Sequence, residues 1–226
     1  PPMGRHQLEQ YLWDTVSAPD NAFTVHFVPE SKSRLSRSAQ KAGILAEYSR
    51  DFARLESFFQ NRPPAPVDIW LYPDVEQKGR FIGARHTSFA RVWKNETHLV
   101  QTAPDRTLAR HEMAHLFAAD FGRPPLRLAG TRLLPAPGWV EGLAMAAEWP
   151  VNTYNLHTWS AAILSTPDTF GTFRGFDLLY NFWSIPSRVA YTLSGSFVRW
   201  LVEMFGIEKV KALSRNMPGD FKDIIG

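Results

Sequence analysis

Residues 108 to 120 read LARHEMAHLFAAD, which sets His111 and His115 four positions apart with Glu112 directly after the first. An α-helix turns about 100° and rises about 1.5 Å per residue, so the two imidazoles project from nearly the same face, about 6 Å apart along the axis. At that separation both can reach one tetrahedral Zn²⁺ through bonds of about 2.0–2.1 Å. Glu112 lies one step round the helix. It is badly placed to be a third ligand but can hydrogen-bond a water at the ion and take its proton. The HExxH pattern fixes only three positions, and a surface helix that happens to carry two histidines is the competing reading. That reading predicts no third ligand downstream.

A third ligand is available in PGWVEGLAMAAEW, where Glu141 stands among aromatic and small neighbours with no other acidic residue before Glu148. An isolated carboxylate at the start of an apolar helix is costly unless something positive neutralises it, and a zinc ion would do so. The alternative is a glutamate favoured in the first helical turn by the helix dipole. The chain has no cysteine. Disulfides, thiolate ligands and a cysteine nucleophile are therefore excluded, and nitrogen and oxygen must hold any metal.

These residues need elements to position them. In AFTVHFV, Phe23, Val25 and Phe27 alternate with Thr24 and His26, the pattern of a half-buried strand. Leu45, Tyr48, Phe52, Leu55 and Phe59 recur at steps of three and four and predict a long helix with one apolar stripe, ended by NRPPAP. VDIWLYP predicts a strand buried on both faces. SFARVW and THLVQ flank KNE and predict a hairpin or two successive strands. From Asp105, a plausible N-cap, the period becomes helical to about Phe121, closed by Gly122, Pro124 and Pro125. Further helices are expected over about 138–149, 156–165, 187–205 and 207–215, with Gly206 as the last break. The organisation is α+β: a sheet-bearing part, 1–104, and a helical part, 105–226, that carries the metal residues, the two making one catalytic unit.

With 226 residues, 44% hydrophobic and 13% aromatic, the chain can bury a sizeable core. Lys and Arg exceed Asp and Glu by only three, 25 against 22, so net charge points to neither nucleic acid nor an acidic substrate. SKSRLSRSAQK gathers Arg34, Arg37 and Lys41 on one helical face, expected to be solvated. Core packing is the expected use of most tryptophans and phenylalanines. No apolar run approaches a membrane span. The opening Pro-Pro is read as the start of an excised domain, extracytoplasmic or membrane-tethered, with any membrane association supplied by segments outside this sequence.

HEMAH followed by GWVEGLA resembles the gluzincin metallopeptidases, whose motif is HExxH plus a glutamate on a later helix, often within W-x-x-E-G-x-A. Trp139, Glu141, Gly142 and Ala144 match it. The order of elements is similar to that of the bacterial peptidase MA-like domains. The resemblance implies a zincin-like fold with the helical part forming the second wall of a cleft. It also implies Zn²⁺ on His111, His115 and Glu141, Glu112 as general base and then proton donor to the leaving amine, and a peptide or protein substrate. Relatives add a hydroxyl that stabilises the oxyanion, and AYTLSGSFVRWLVEMFG is similar to the segment that carries it. This implies Tyr191, with Tyr180 and His157 as substitutes. No segment corresponds to the G-x-M-E-N of gluzincin aminopeptidases, which favours endopeptidase action. Met145 stands where thermolysin-like members place an aspartate that orients the first histidine; Asp120 is one replacement, and an exposed last-turn residue is its plainer reading. Zincins align substrate on an edge strand, here SFARVW or THLVQ. A non-catalytic or regulatory binding module with a retained zinc site is the alternative, opposed by the intact Glu112.

Overall fold

The computed structural model describes residues 14–27, 35–64, 66–101, 106–130, 134–148, 153–166 and 175–217. It is a mixed α/β structure with a five-stranded sheet. β2 (Phe23–Phe27), β3 (Val67–Tyr72) and β5 (Glu96–Val100) run parallel, while β1 (Asp14–Ser17) and β4 (Phe89–Arg91) pair antiparallel at the two edges, in the order β1-β2-β3-β5-β4. The helices are α1 (Leu35–Phe59), α2 (Val75–Ile82), α3 (Arg106–Ala118), α4 (Pro137–Ala147), α5 (Leu156–Leu164), α6 (Gly175–Tyr180), α7 (Ser187–Phe205) and α8 (Ile207–Asn216). Two compact units result: Pro1–Glu56 with Arg62–Leu116, and Ser57–Asn61 with Phe117–Gly226.

In the first unit, the period-2 pattern of each strand sorts side chains to opposite faces of the sheet. Phe23, Val25 and Phe27 alternate buried with half-buried neighbours, and Phe52 of α1 meets Phe23 with ring centroids 5.6 Å apart. Tyr48 and Leu55 of the predicted stripe are buried as well. All of β3 except Asp68 is buried, as a strand covered on both faces should be. Its other face builds an aromatic ladder across the register. His26 stacks on Trp70 at 4.0 Å, Trp70 on His98 at 6.3 Å, and Phe89 lies 5.0 Å from His98.

β4 and β5 form the antiparallel pair expected around KNE, but the first strand ends earlier than the sequence suggests, at Arg91. Val92–Lys94 make a 3₁₀ turn, and Asn95 turns the chain in the left-handed region with φ 58°. Of this pair only β4 is an edge, because β5 lies between β3 and β4. Of the two strands named for substrate alignment, SFARVW alone could serve.

Three elements escape the sequence reading. β1 is short and exposed, and α6 has only six residues. α2 has full capping signals: Asp74 accepts from the Gln77 N–H at 2.7 Å, and Gly83 closes the helix at φ 81°. Its two turns are too few for periodicity to register.

The predicted N-cap Asp105 and the Arg34 and Arg37 side chains lie outside the described residues. Lys41 does not stay on a solvated face; it pairs with Asp14 and lies 5.3 Å from the Phe27 ring centre. The tryptophans also depart from expectation. Trp70 and Trp139 are buried, whereas Trp93, Trp159, Trp183 and Trp200 are exposed. The last three sit against aromatic neighbours, Tyr154, Phe182 and Phe197 respectively, which shield one side of each indole.

In the second unit, α4 is bound by close backbone approaches. A Cβ on Gly142 would stand 2.8 Å from the Ser194 carbonyl oxygen and the Val198 side chain of α7. One on Gly138 would stand 1.9 Å from the Leu178 carbonyl oxygen of α6. Trp139 has no exposed surface; its indole N–H donates to Ser214 Oγ of α8 at 2.6 Å, and its ring meets Phe197 edge-on. Phe59, Phe117 and Phe121 form a further aromatic group. No helix among the described residues is long and apolar enough to cross a membrane.

Candidate metal centre

α3 carries His111, Glu112 and His115, with the imidazole rings edge-on and their centroids 4.8 Å apart. The helix is held to α1 immediately before the first histidine, because Arg110 Nε donates to Asp51 Oδ1 at 2.7 Å in a mostly buried ion pair. Such a pair is costly to break from one side, so it restrains the stretch that bears the candidate ligands. Glu112 is 6% exposed.

His111, His115 and Glu141 form a group that could hold a metal ion: one nitrogen of each imidazole and one carboxylate oxygen lie within 4.8 Å of one another, all on partly buried side chains. Donors around a tetrahedral ion with bonds of about 2.0–2.1 Å stand roughly 3.3 Å apart. Two neutral imidazoles and a carboxylate suit zinc, and exclude a site built on soft sulfur. The alternative of a surface helix with unrelated histidines predicts no such neighbour for them.

The residues around Glu141 explain its position. Trp139 ties α4 to α8 through Ser214 and to α7 through Phe197, while Gly142 lets α7 approach the backbone. Ala144 is fully buried. W-x-x-E-G-x-A thus describes a helix clamped at every matching position except the one that carries the carboxylate. Met145 packs against Gly195 of α7, where an added Cβ would come within 2.6 Å of the Met145 Cβ. Asp120 is 47% exposed and faces Arg127 at 3.6 Å and Lys211 at 3.7 Å.

The other candidates occupy different settings. Tyr191 is a partly buried residue of α7 whose ring meets Phe182 edge-on at 5.0 Å, packed on the cluster of Phe182, Ile185, Val189, Ala190 and Leu193. Tyr180 ends α6 and is half-buried. His157 is engaged at both ring nitrogens, by Ser196 Oγ at 2.8 Å and Glu203 Oε2 at 3.2 Å.

One residue is marked by no spacing in the sequence. Lys78 of α2 has no exposed surface; its ammonium donates to the Thr87 carbonyl and lies 5.3 Å from the centre of the Phe89 ring. Burial pushes it down to about 8 against the pull of Glu112 in the other direction. Beside it, the Tyr72 hydroxyl and His98 Nδ1 share a hydrogen bond at 2.9 Å. His98 Nε2 stands 3.4 Å from Glu96, which accepts from Arg91 at 3.0 Å. Burial holds His98 below its ordinary value, partly offset by Glu96, and raises the Tyr72 phenol. No protein-family model matches the chain, and no curated protein matches it.

Proposed function

We propose that the chain is a zinc-dependent peptidase of the gluzincin type with a zincin-like fold, acting as an endopeptidase. The observation that carries this reading is the grouping of one donor atom each from His111, His115 and Glu141 within 4.8 Å, beside a glutamate on the same helix as the histidines. Those three residues would hold the cation, which when bound supplies a Lewis acid that polarises a carbonyl and lowers the pKa of water. Glu112 takes the proton of the attacking water and delivers it to the nitrogen of the departing amine, so the C–N bond breaks and a carboxylate and an amine are released. Tyr191 donates from its phenol to the oxygen that gains charge. β4, as the exposed edge next to β5, hydrogen-bonds an extended substrate main chain.

The test is zinc stoichiometry on protein purified without added metal, followed by turnover of a peptide library. We expect about one zinc per chain, lost in His115→Ala. Glu112→Gln should keep the zinc and lower kcat by at least about a thousandfold, from the loss of acid–base catalysis and of the fixed carboxylate. Equal turnover by wild type and Glu112→Gln refutes the mechanism. Zinc without turnover leaves a binding module with a metal site.

A further inference from the structure

The parallel strands β3 and β5 finish at Tyr72 and Val100. At these ends, bounded by α1 and the first turns of α3, lies a cavity of about 190 Å³. In open sheets with parallel strands, the crevice outside the carboxyl ends is where ligands bind. Ile44, Leu71, Leu99 and Leu108 give the cavity apolar walls, and Glu47 and Tyr48 of α1 line it as well. Tyr48 is only 8% exposed, and among the described residues its hydroxyl has no hydrogen-bond partner. A buried hydroxyl left unanswered is costly, and native structures contain few of them. Burial, with the negative charges of Glu47 and Asp51, holds this phenol above its ordinary value, so it keeps its proton at neutral pH.

Among the described residues, Glu47 is the only charged one that lines this cavity. Glu47 also borders a second, polar cavity, where it meets Arg50, Arg54 and the Asp51-bound Arg110. An anion is drawn to that arginine side, which leaves the apolar compartment to a neutral or cationic guest. We propose that the cavity at the ends of β3 and β5 binds a small ligand with an apolar body and a primary ammonium: the body fills the space between Ile44, Leu71, Leu99 and Leu108, and the ammonium donates to the Glu47 carboxylate and the Tyr48 oxygen. An apolar cavity of about 150 Å³ takes up benzene, so this one suits a body of about six to eight carbon atoms. The attraction between ammonium and carboxylate is stronger beside such walls than in open water. None of His111, His115 and Glu141 lines the cavity, and the inference does not depend on the reading of that centre.

Calorimetric titration of the intact chain with phenethylamine tests this. A ligand of that size should bind with a Kd on the order of 0.1–1 mM. The uncharged 2-phenylethanol should bind at least about tenfold more weakly, and the anion 3-phenylpropionate should not compete. Glu47→Gln should erase the preference for amine over alcohol. Tyr48→Phe should weaken amine binding about 3- to 10-fold without lowering Tm, because the hydroxyl it removes is unanswered in the free chain. Ile44→Trp, which fills the cavity from a half-buried wall position, should abolish binding while the circular dichroism spectrum stays the same. Amines also ligate zinc, so the titration is repeated after chelation and on His115→Ala. Unchanged affinity in both places the ligand away from the metal centre; loss in both assigns the binding to a metal and overturns the proposal. Phenylalaninamide then separates two sources of the same chemistry: binding at least as tight as phenethylamine points to the amino end of a peptide, and weaker binding to a free amine. Equal affinity for amine and alcohol, wild-type affinity in Glu47→Gln, or no binding at about 10 mM amine overturns the proposal.

Discussion

At the scale of single residues, the candidate centre combines groups that the sequence marks with groups it does not. His111, Glu112 and His115 are legible because helical spacing alone sets their directions. Glu141 is legible because a lone carboxylate among apolar neighbours asks for a reason. Tyr191 is identified only by resemblance, and its ring packs against Phe182. Tyr191→Phe separates the two uses of the side chain. It keeps the packing area, so Tm should hold within about 1 kcal/mol of stability, while losing the donor should lower kcat about 10²- to 10³-fold with KM nearly unchanged. An unchanged kcat would leave the ring as a packing residue. Lys78 and the Asp51–Arg110 pair could not be read in advance, since a charged residue's burial depends on which distant elements close over it.

At the scale of elements, the long periodic segments are the ones the sequence reveals: α1, α3, α4, α7, β2 and β3 stand where the apolar spacing puts them. α2 and α6 have two turns or fewer, and β1 is a mostly exposed four-residue edge, so none has an apolar repeat long enough to detect. The order of β4 and β5 was open for a different reason. A hairpin reads the same in sequence whichever strand pairs with the rest of the sheet, and only the β3–β5 register decides it. The fit of α4 on α7 yields a prediction at this scale. Gly142→Ala forces a methyl to within 2.8 Å of the Ser194 carbonyl and the Val198 side chain, so the helices must part. The expected cost is about 1–3 kcal/mol of stability, together with weakened zinc affinity as Glu141 moves with its helix. Calorimetry and zinc titration check both. Undiminished affinity in a destabilised variant would mean that Glu141 is not a ligand.

For the whole molecule, the donor set contains two residues from α3 and one from α4, the next α-helix along the chain, so all three are offered together only by the folded chain. A cation bound this way favours the native state by mass action: at a free concentration a thousandfold above Kd the gain is about 4 kcal/mol. For a chain of this length that corresponds to a Tm rise on the order of 10 °C. Stripping the metal with a chelator should lower Tm by that amount, and zinc should restore it. Addition of zinc to His115→Ala should have a much smaller effect. A chelator-insensitive Tm in the wild type would show that the three donors hold nothing.

The contact between Gly138 and Leu178 bears on how descendants and cousins of this sequence will diverge. Where a methyl would meet a main-chain oxygen at 1.9 Å, no side-chain rotation can relieve the overlap, and alanine is as unacceptable as tryptophan. Natural variants should therefore hold glycine at 138 as strictly as they hold the histidines. A survey of variation could mistake that steric fixity for a chemical duty, although the atom selection forbids there is one that takes no part in any reaction.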